Sequence, residues 1–156
     1  MTLKQKIQGI LAILGIGTAG ILGGLNYREN IPLQYIYTDS ATTTAGTGIE
    51  VSNYMNIACD IISQATTGTL KFMGSIQDAQ PVWDSIKSAT NTWDYVEAID
   101  NMNGVSYDGD TGVVMTNSSD VRDFRINVDL LKWFNADFTS YSSGTTTVPC
   151  KVSNNQ

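Results

Sequence analysis

IEVSNYMNIACDI, residues 49–61, is the stretch whose reading decides the fold class. Ile49, Val51, Met55, Ile57, Cys59 and Ile61 at odd positions are apolar, whereas Glu50, Ser52, Asn56 and Asp60 at even positions are polar. Side chains of an extended chain point alternately to opposite faces, so this rhythm marks a half-buried strand, or two strands joined at a bulge near Asn53. The same rhythm extends in both directions. Upstream, residues 32–38 (PLQYIYT) form a short strand after an Asn-Ile-Pro break, and residues 40–46 are a turn or linker. Downstream, Thr66-Thr67-Gly68 reads as a turn. Leu70, Phe72 and Ile76 then alternate against Lys71, Ser75 and Gln77, with Gly74 on the inward side.

Residues 78–92 break the rhythm and read as a long loop with Trp83 packing down. Residues 93–99 are extended again, 100–104 turn, and 105–107 and 113–115 flank the tight Asp108-Gly-Asp110-Thr-Gly112 turn. Phe124, Ile126 and Val128 face inward against Arg125, Asn127 and Asp129. Phe134, Ala136 and Phe138 share one face, and a Tyr141-Ser-Ser-Gly144 turn leads to Thr146, Val148, Cys150 and Val152. About eight short strands at a spacing of roughly 8–12 residues predict an all-β domain over residues 31–156, a β-sandwich or jelly roll. No long 3.6-residue period appears after residue 30.

Residues 1–30 are different in kind. The run IQGILAILGIGTAGILGGL, residues 7–25, carries no charge and follows Lys4 and Lys6. Its nineteen residues just reach the length of about 20 that crosses a hydrocarbon core as a helix. Six glycines weaken such a helix in water, although Gly20-xxx-Gly24 would let two helices approach closely in a membrane. No A-x-A-like site suggests a cleaved secretory signal. The run reads as an apolar arm, helical or extended, buried against neighbouring subunits. A membrane anchor is the competing reading. Ile7, Ile10, Leu11, Ile13, Leu14, Ile16, Ile21, Leu22 and Leu25 would make the contacts in either case.

Charge and composition narrow the function. Only 15% of residues are charged, against roughly 25% in soluble domains. The polar surface therefore rests on Ser, Thr and Asn, as in secreted, pilus-like or virus-particle proteins. Residues 1–30 balance at +2 and the remainder at −8. An acidic body repels a phosphate backbone, so nucleic acid is not an expected partner.

The sequence holds no His, so no Ser-His-Asp or Cys-His pair can form. Cys59 and Cys150 fall at inward positions, as a long-range disulfide or as two buried thiols. Asp94, Glu97 and Asp100, and likewise Asp108 and Asp110, are close in sequence, but nothing in their spacing distinguishes them from solvated turn acids. The Asp108–Gly112 turn lacks the terminal bidentate Glu of an EF-hand loop. No catalysis, metal or cofactor is expected. Trp83, Trp133 and Tyr141 are candidates for surface binding, with Trp93 and Tyr95 beside them, because aromatic rings stack on sugar faces. Trp133 alternates opposite to Phe134, so one of the two should point away from the main core. Asn117-Ser-Ser119 matches a glycosylation acceptor by composition alone.

Longer stretches carry a resemblance. GTLKFMGSIQDAQPVWDSI (68–86), WDYVEAIDNMNG (93–104), DGDTGVVM (108–115) and DVRDFRINVDLLKWFNADFTSYSSGTTTV (120–148) resemble small β-sandwich proteins of tailed-phage particles. That group combines a GT-x-x-F-x-GS strand followed by a Trp loop, an F-x-I/V-x-V segment running into LK-W/Y, and a closing SY-S/T-SG-T-x-T-V hairpin. The resemblance covers residues 47–153 and leaves the arm unexplained. It implies a virion structural role, in capsid decoration, a minor capsid position, or a head–tail or tail component. The partners would be the major capsid protein or neighbouring copies, in a homo-oligomer. A glycan- or receptor-binding module and a membrane-anchored or pilus-like surface subunit are the alternatives, with an extracellular or cell-surface location in place of the virion.

Overall fold

A computed structural model describes residues 32–37, 46–81 and 92–154; the apolar arm and Trp83 lie outside these. Among the described residues there are nine strands and no helix. They are β1 (Gln34–Tyr37), β2 (Ile49–Glu50), β3 (Asn56–Ser75), β4 (Asp94–Tyr95), β5 (Ala98–Asp100), β6 (Ser106–Tyr107), β7 (Val113–Ser118), β8 (Val121–Asn127) and β9 (Trp133–Ser153). The pairings are antiparallel, and the sheet is a sandwich-like assembly rather than a barrel.

Two strands dominate. β3 has 20 residues and β9 has 21, several times the usual length of about 5–6. They pair with each other from Asn56↔Ser153 to Ser75↔Trp133. The first part of β3 carries β8 at its other side, with β5 and β6 beyond, and the last part of β9 carries β1. The second part of β3 instead carries β7 and β4, and the first part of β9 carries β2. One ribbon therefore supplies the centre of two half-sheets.

The ribbon folds over on itself. Cys59 sits opposite Phe124 of β8 in the register, and a straight strand would hold Phe72 roughly 40 Å from Cys59. Yet the rings of Phe72 and Phe124 have centroids 5.8 Å apart. Phe72 also stacks on Phe134 at 5.7 Å. The inner faces of the half-sheets thus meet around these rings, with Ile57, Ile61, Leu70, Ile126, Phe138 and Val148 buried about them.

The fold-over lies where the β3–β9 register slips three times between Gln64 and Leu70. Buried positions of β3 are odd before it (Ile57, Cys59, Ile61, Ser63) and even after it (Thr66, Gly68, Leu70, Phe72). One extra residue in a strand swaps its faces, and that residue is Ala65, which takes a positive φ of 50°. Facing it, Gly144 has φ +91°, and a Cβ there would lie 2.4 Å from the Thr66 Cα. The Thr66 hydroxyl donates to the Thr145 carbonyl at 2.7 Å, and the Ala65 amide donates to Ser119 Oγ at 2.8 Å.

These observations correct several sequence expectations. Thr66-Thr67-Gly68 and Tyr141–Gly144 are not turns between strands but bulged parts of β3 and β9. The strands flanking the Asp108–Gly112 turn do not pair: β6 joins β5 and β7 joins β3, so the turn carries the chain between half-sheets. Met55 and Ile76 were expected inward but are 37% and 71% exposed. Met55 precedes β3, and Ile76 follows its last residue, where the Ser75 carbonyl accepts from the Lys132 amide and the ladder stops. Phe124, Ile126, Val128, Phe134, Ala136 and Phe138 are buried as expected.

Cys59 and Cys150 are register partners on the buried face and form a disulfide with Cα atoms 4.1 Å apart. The bond ties the two ribbon strands across 91 residues of sequence. Replacing both cysteines by alanine should lower unfolding stability by about 2–5 kcal/mol, measured by denaturant titration. Native protein without reductant should yield no thiol to alkylating reagents. At the fold-over, Gly144→Val should cost more than about 2 kcal/mol, whereas Ala65→Gly should be neutral or stabilising by about 1 kcal/mol. Equal unfolding midpoints for Gly144→Val and the parent protein would contradict a bend at that position.

Candidate interaction surfaces

The outward faces of the two half-sheets differ. In the β2–β9–β3–β7/β4 half, Met73, Ser75, Asn135 and Asp137 point away from the core rings and are nevertheless buried. Part of the cover is the chain before β2. Asn135 Nδ2 donates to the Gly46 carbonyl at 2.8 Å, and the Gly46 amide donates to the Ala136 carbonyl at 3.0 Å. Trp93, next to β4, is buried and its Nε1 donates to the Pro81 carbonyl at 3.2 Å.

Asp137 is the anomaly of this layer. It is 4% exposed, and its Oδ1 is buried without a hydrogen-bond partner. Burial pushes its carboxyl up to about 6, while Lys71, its register partner on β3, pulls the other way. The Lys71 ammonium is engaged elsewhere. It donates to the Asp110 carbonyl and lies 4.6 Å from the centroid of the Tyr95 ring.

The aromatic candidates are separated. Trp133 is half-buried on the face opposite Phe134, and its indole N–H is enclosed without a hydrogen-bond partner. Tyr141 is half-buried too; its hydroxyl donates to the Gly144 carbonyl at 2.6 Å and its ring meets Phe138 edge-on. Seven positions of β9 lie between them, and the structure does not bring the two rings together.

The acidic candidates serve their own turns. Asp100 is buried and accepts from the Met102 amide at 2.8 Å and Asn103 Nδ2 at 3.1 Å. Asp108 accepts from the Asp110 amide at 2.8 Å, Asp94 from the Tyr95 amide at 2.9 Å, and Glu97 from the Ser106 hydroxyl. Among the described residues, no three side chains of metal-ligating type converge.

The other half-sheet turns an open face outward. Its rows follow from the register. Asn56 lies opposite Asn127 on one side and Ser153 on the other, and Ala58 likewise between Arg125 and Lys151. Asp60 faces Asp123, and Ile62 lies between Val121 and Thr147. Arg125, Ala58, Lys151 and Val121 are exposed, and the rest are half-buried or exposed. Two adjoining depressions of about 280 and 260 Å³ share Asn56, Arg125 and Asn127. Sequence reading missed this face. Taking Cys59 and Cys150 as a bonded pair would have fixed the β3–β9 register and placed Lys151 beside Ala58.

With the architecture established, known proteins can be set beside it. No family model and no curated protein matches the chain. Two solved structures share its fold. The SPBc2 prophage-derived protein YomS superposes with a TM-score of 0.56 over 80% of this chain and 94% of YomS, at 11% identity. The PBSX exported protein XepA does so with a TM-score of 0.57 over 79% of this chain, at 10% identity. The chain spans 37% of the length of XepA. Both neighbours are phage-derived, and the likeness to them is one of fold. The all-β sandwich implied by the phage resemblance is the fold found.

Asp137 gives a pH test of this layer. A carboxyl held above its unfolded value stabilises the fold while protonated, so its contribution is full below about pH 4 and is lost as pH rises through about 6. Asp137→Asn should flatten that decline and raise stability near pH 8 by about 1–3 kcal/mol. Urea unfolding at pH 5 and pH 8 measures both effects, and an unchanged pH slope would contradict a buried, unpaired carboxylate.

Proposed function

We propose that this chain is a non-catalytic structural subunit of a bacteriophage particle, a decoration, minor capsid, or head–tail or tail component. The observation that carries the reading is the fold shared with YomS over nearly the whole of that prophage-derived protein. Three features support it. The surface is poor in charge and rich in hydroxyl and amide groups. The acidic candidates Asp100 and Asp108 are spent on closing their own turns. The buried Cys59–Cys150 disulfide suits service in an oxidising medium, as expected of a released particle and of an exported protein such as XepA.

In this reading the partners are the major capsid protein or neighbouring copies, and nucleic acid is not among them. The arm, residues 7–25, is the anchor. Exposing its large apolar side chains to water forfeits about 1.5–3 kcal/mol each, so protein or lipid must cover them.

Mass spectrometry of gradient-purified particles from the source should find the chain in fixed proportion to the major capsid protein. Deleting residues 1–25 should leave the sandwich folded and abolish incorporation. Particles lacking the chain would refute the proposal. Normal incorporation of the truncated protein, with flotation of the intact one on liposomes, would move the arm to a membrane.

A further inference from the structure

We infer that the open face of the β1–β9–β3–β8–β5 half-sheet is a self-association surface, on which a second copy of this chain docks about a twofold axis. The inference rests on the assembly reading above and names one of its contacts.

The argument begins with charge placement. On this face the exposed cations Arg125 and Lys151 form one row with the small Ala58 between them. Two residues further along the strands, Asp60 and Asp123 face each other directly. Among the described residues neither cation has an ion-pair partner, although Arg122 is paired with Asp120 and Lys132 with Asp78. Like charges directly opposite in a sheet are destabilising. Burial, and then the Asp123 charge, raise the Asp60 carboxyl above its ordinary value. A lone copy therefore holds an unrelieved acidic row beside an unused basic row.

A twofold axis lying in the interface, running across the strands between these rows, relieves both. It keeps the strand order and reverses the strand direction, so the basic row of each copy lies over the acidic row of the other. Arg125 then meets Asp123 and Lys151 approaches Asp60, twice over. Self-complementarity of one patch is what an isologous interface requires. The same operation lays Ile62 and exposed Val121 over Asn56 and Asn127. Tyr35 of β1, exposed beside Pro149, and half-buried Ile99 of β5 extend the contact at either side.

Size sets the strength. Five strands about 4.8 Å apart, the central ones about seven residues long and β1 and β5 shorter, give a face of at most about 20 by 23 Å. That is below the roughly 800 Å² per partner of a standard stable complex. The pairing is therefore weak in dilute solution, sensitive to salt, and significant where copies are held close together.

The test uses full-length chains with two different affinity tags. Arg125→Glu/Lys151→Glu makes the face wholly acidic, and Asp60→Lys/Asp123→Lys makes it wholly basic. At low ionic strength each variant should lose association with itself by about tenfold or more. A mixture of the two should co-purify as the parent does, and raising the salt should erase the difference between the combinations. Every chain carries the arm, so arm-driven association is common to all combinations and cancels. Circular dichroism checks folding, and the milder pair Arg125→Glu and Asp123→Arg gives the same comparison should a double variant misfold. Equal association in all combinations, or none even for the parent protein, would overturn the interface. Neither result bears on whether the chain is found in particles, so the two proposals fail separately.

Discussion

Everything described in this molecule hangs on the pairing of β3 with β9 and on the bend that doubles the pair over. The other seven strands have two to seven residues each, and five of them have four or fewer. Five of the seven border the ribbon directly, and β5 and then β6 follow outward from β8. The ribbon in turn is stable only because its halves cover one another around Phe72, Phe124 and Phe134. That covering needs a sharp change of direction without loss of the ladder. A β-bulge supplies it: an extra residue in one strand increases the local twist and bends the pair. Strands that change sheets through bulges in this way make the corners of packed sheets.

The alternation that marks the strands was legible except at the ends of β3, where Met55 and Ile76 are exposed, and so was the change of face within β3. What the sequence could not separate was a bulge from a turn. Both switch the inward set from odd to even positions, and both favour small residues such as those at Ala65–Gly68 and Ser142–Gly144. Read locally, Thr66-Thr67-Gly68 is as good a turn as any. What decides between them is the partner: with β9 running alongside, the ladder resumes on the same neighbour instead of reversing onto itself. That information is non-local, and Cys59 and Cys150 were the residues that could have supplied it. A bond between them sets Asn56 against Ser153 and Ile62 against Thr147, and hence the entire ribbon.

The buried polar layer was illegible for a related reason. In Phe134–Phe138 the pattern assigns Asn135 and Asp137 to solvent, which is correct for a sheet with one free face. Here the chain before β2 lies over that face and bonds to Asn135. No periodicity within β9 announces it. Asp137 is thus a carboxylate placed by tertiary structure where its own strand predicts water. Trp133 is similar: its alternation with Phe134 was readable, whereas the enclosure of its indole N–H was not.

One covered face and one open face give the sandwich a polarity that bears on assembly. A free-standing soluble domain has no need of two unpaired cations set beside two opposed carboxylates, since exchanging one residue of each row would neutralise both. Such a pattern is a cost in the single molecule and a gain only against a complementary surface. The scarcity of charge elsewhere sharpens this, because with 24 ionisable Asp, Glu, Lys and Arg side chains in 156 residues a four-charge cluster on one face is a large share. The disulfide lies directly beneath that face, between Ala58 and Asp60 on one strand and beside Lys151 on the other. Fixing the two ribbon strands there also fixes the spacing of the charges above them. The covalent bond that holds the buried side of the half-sheet thereby sets the geometry of its outer side.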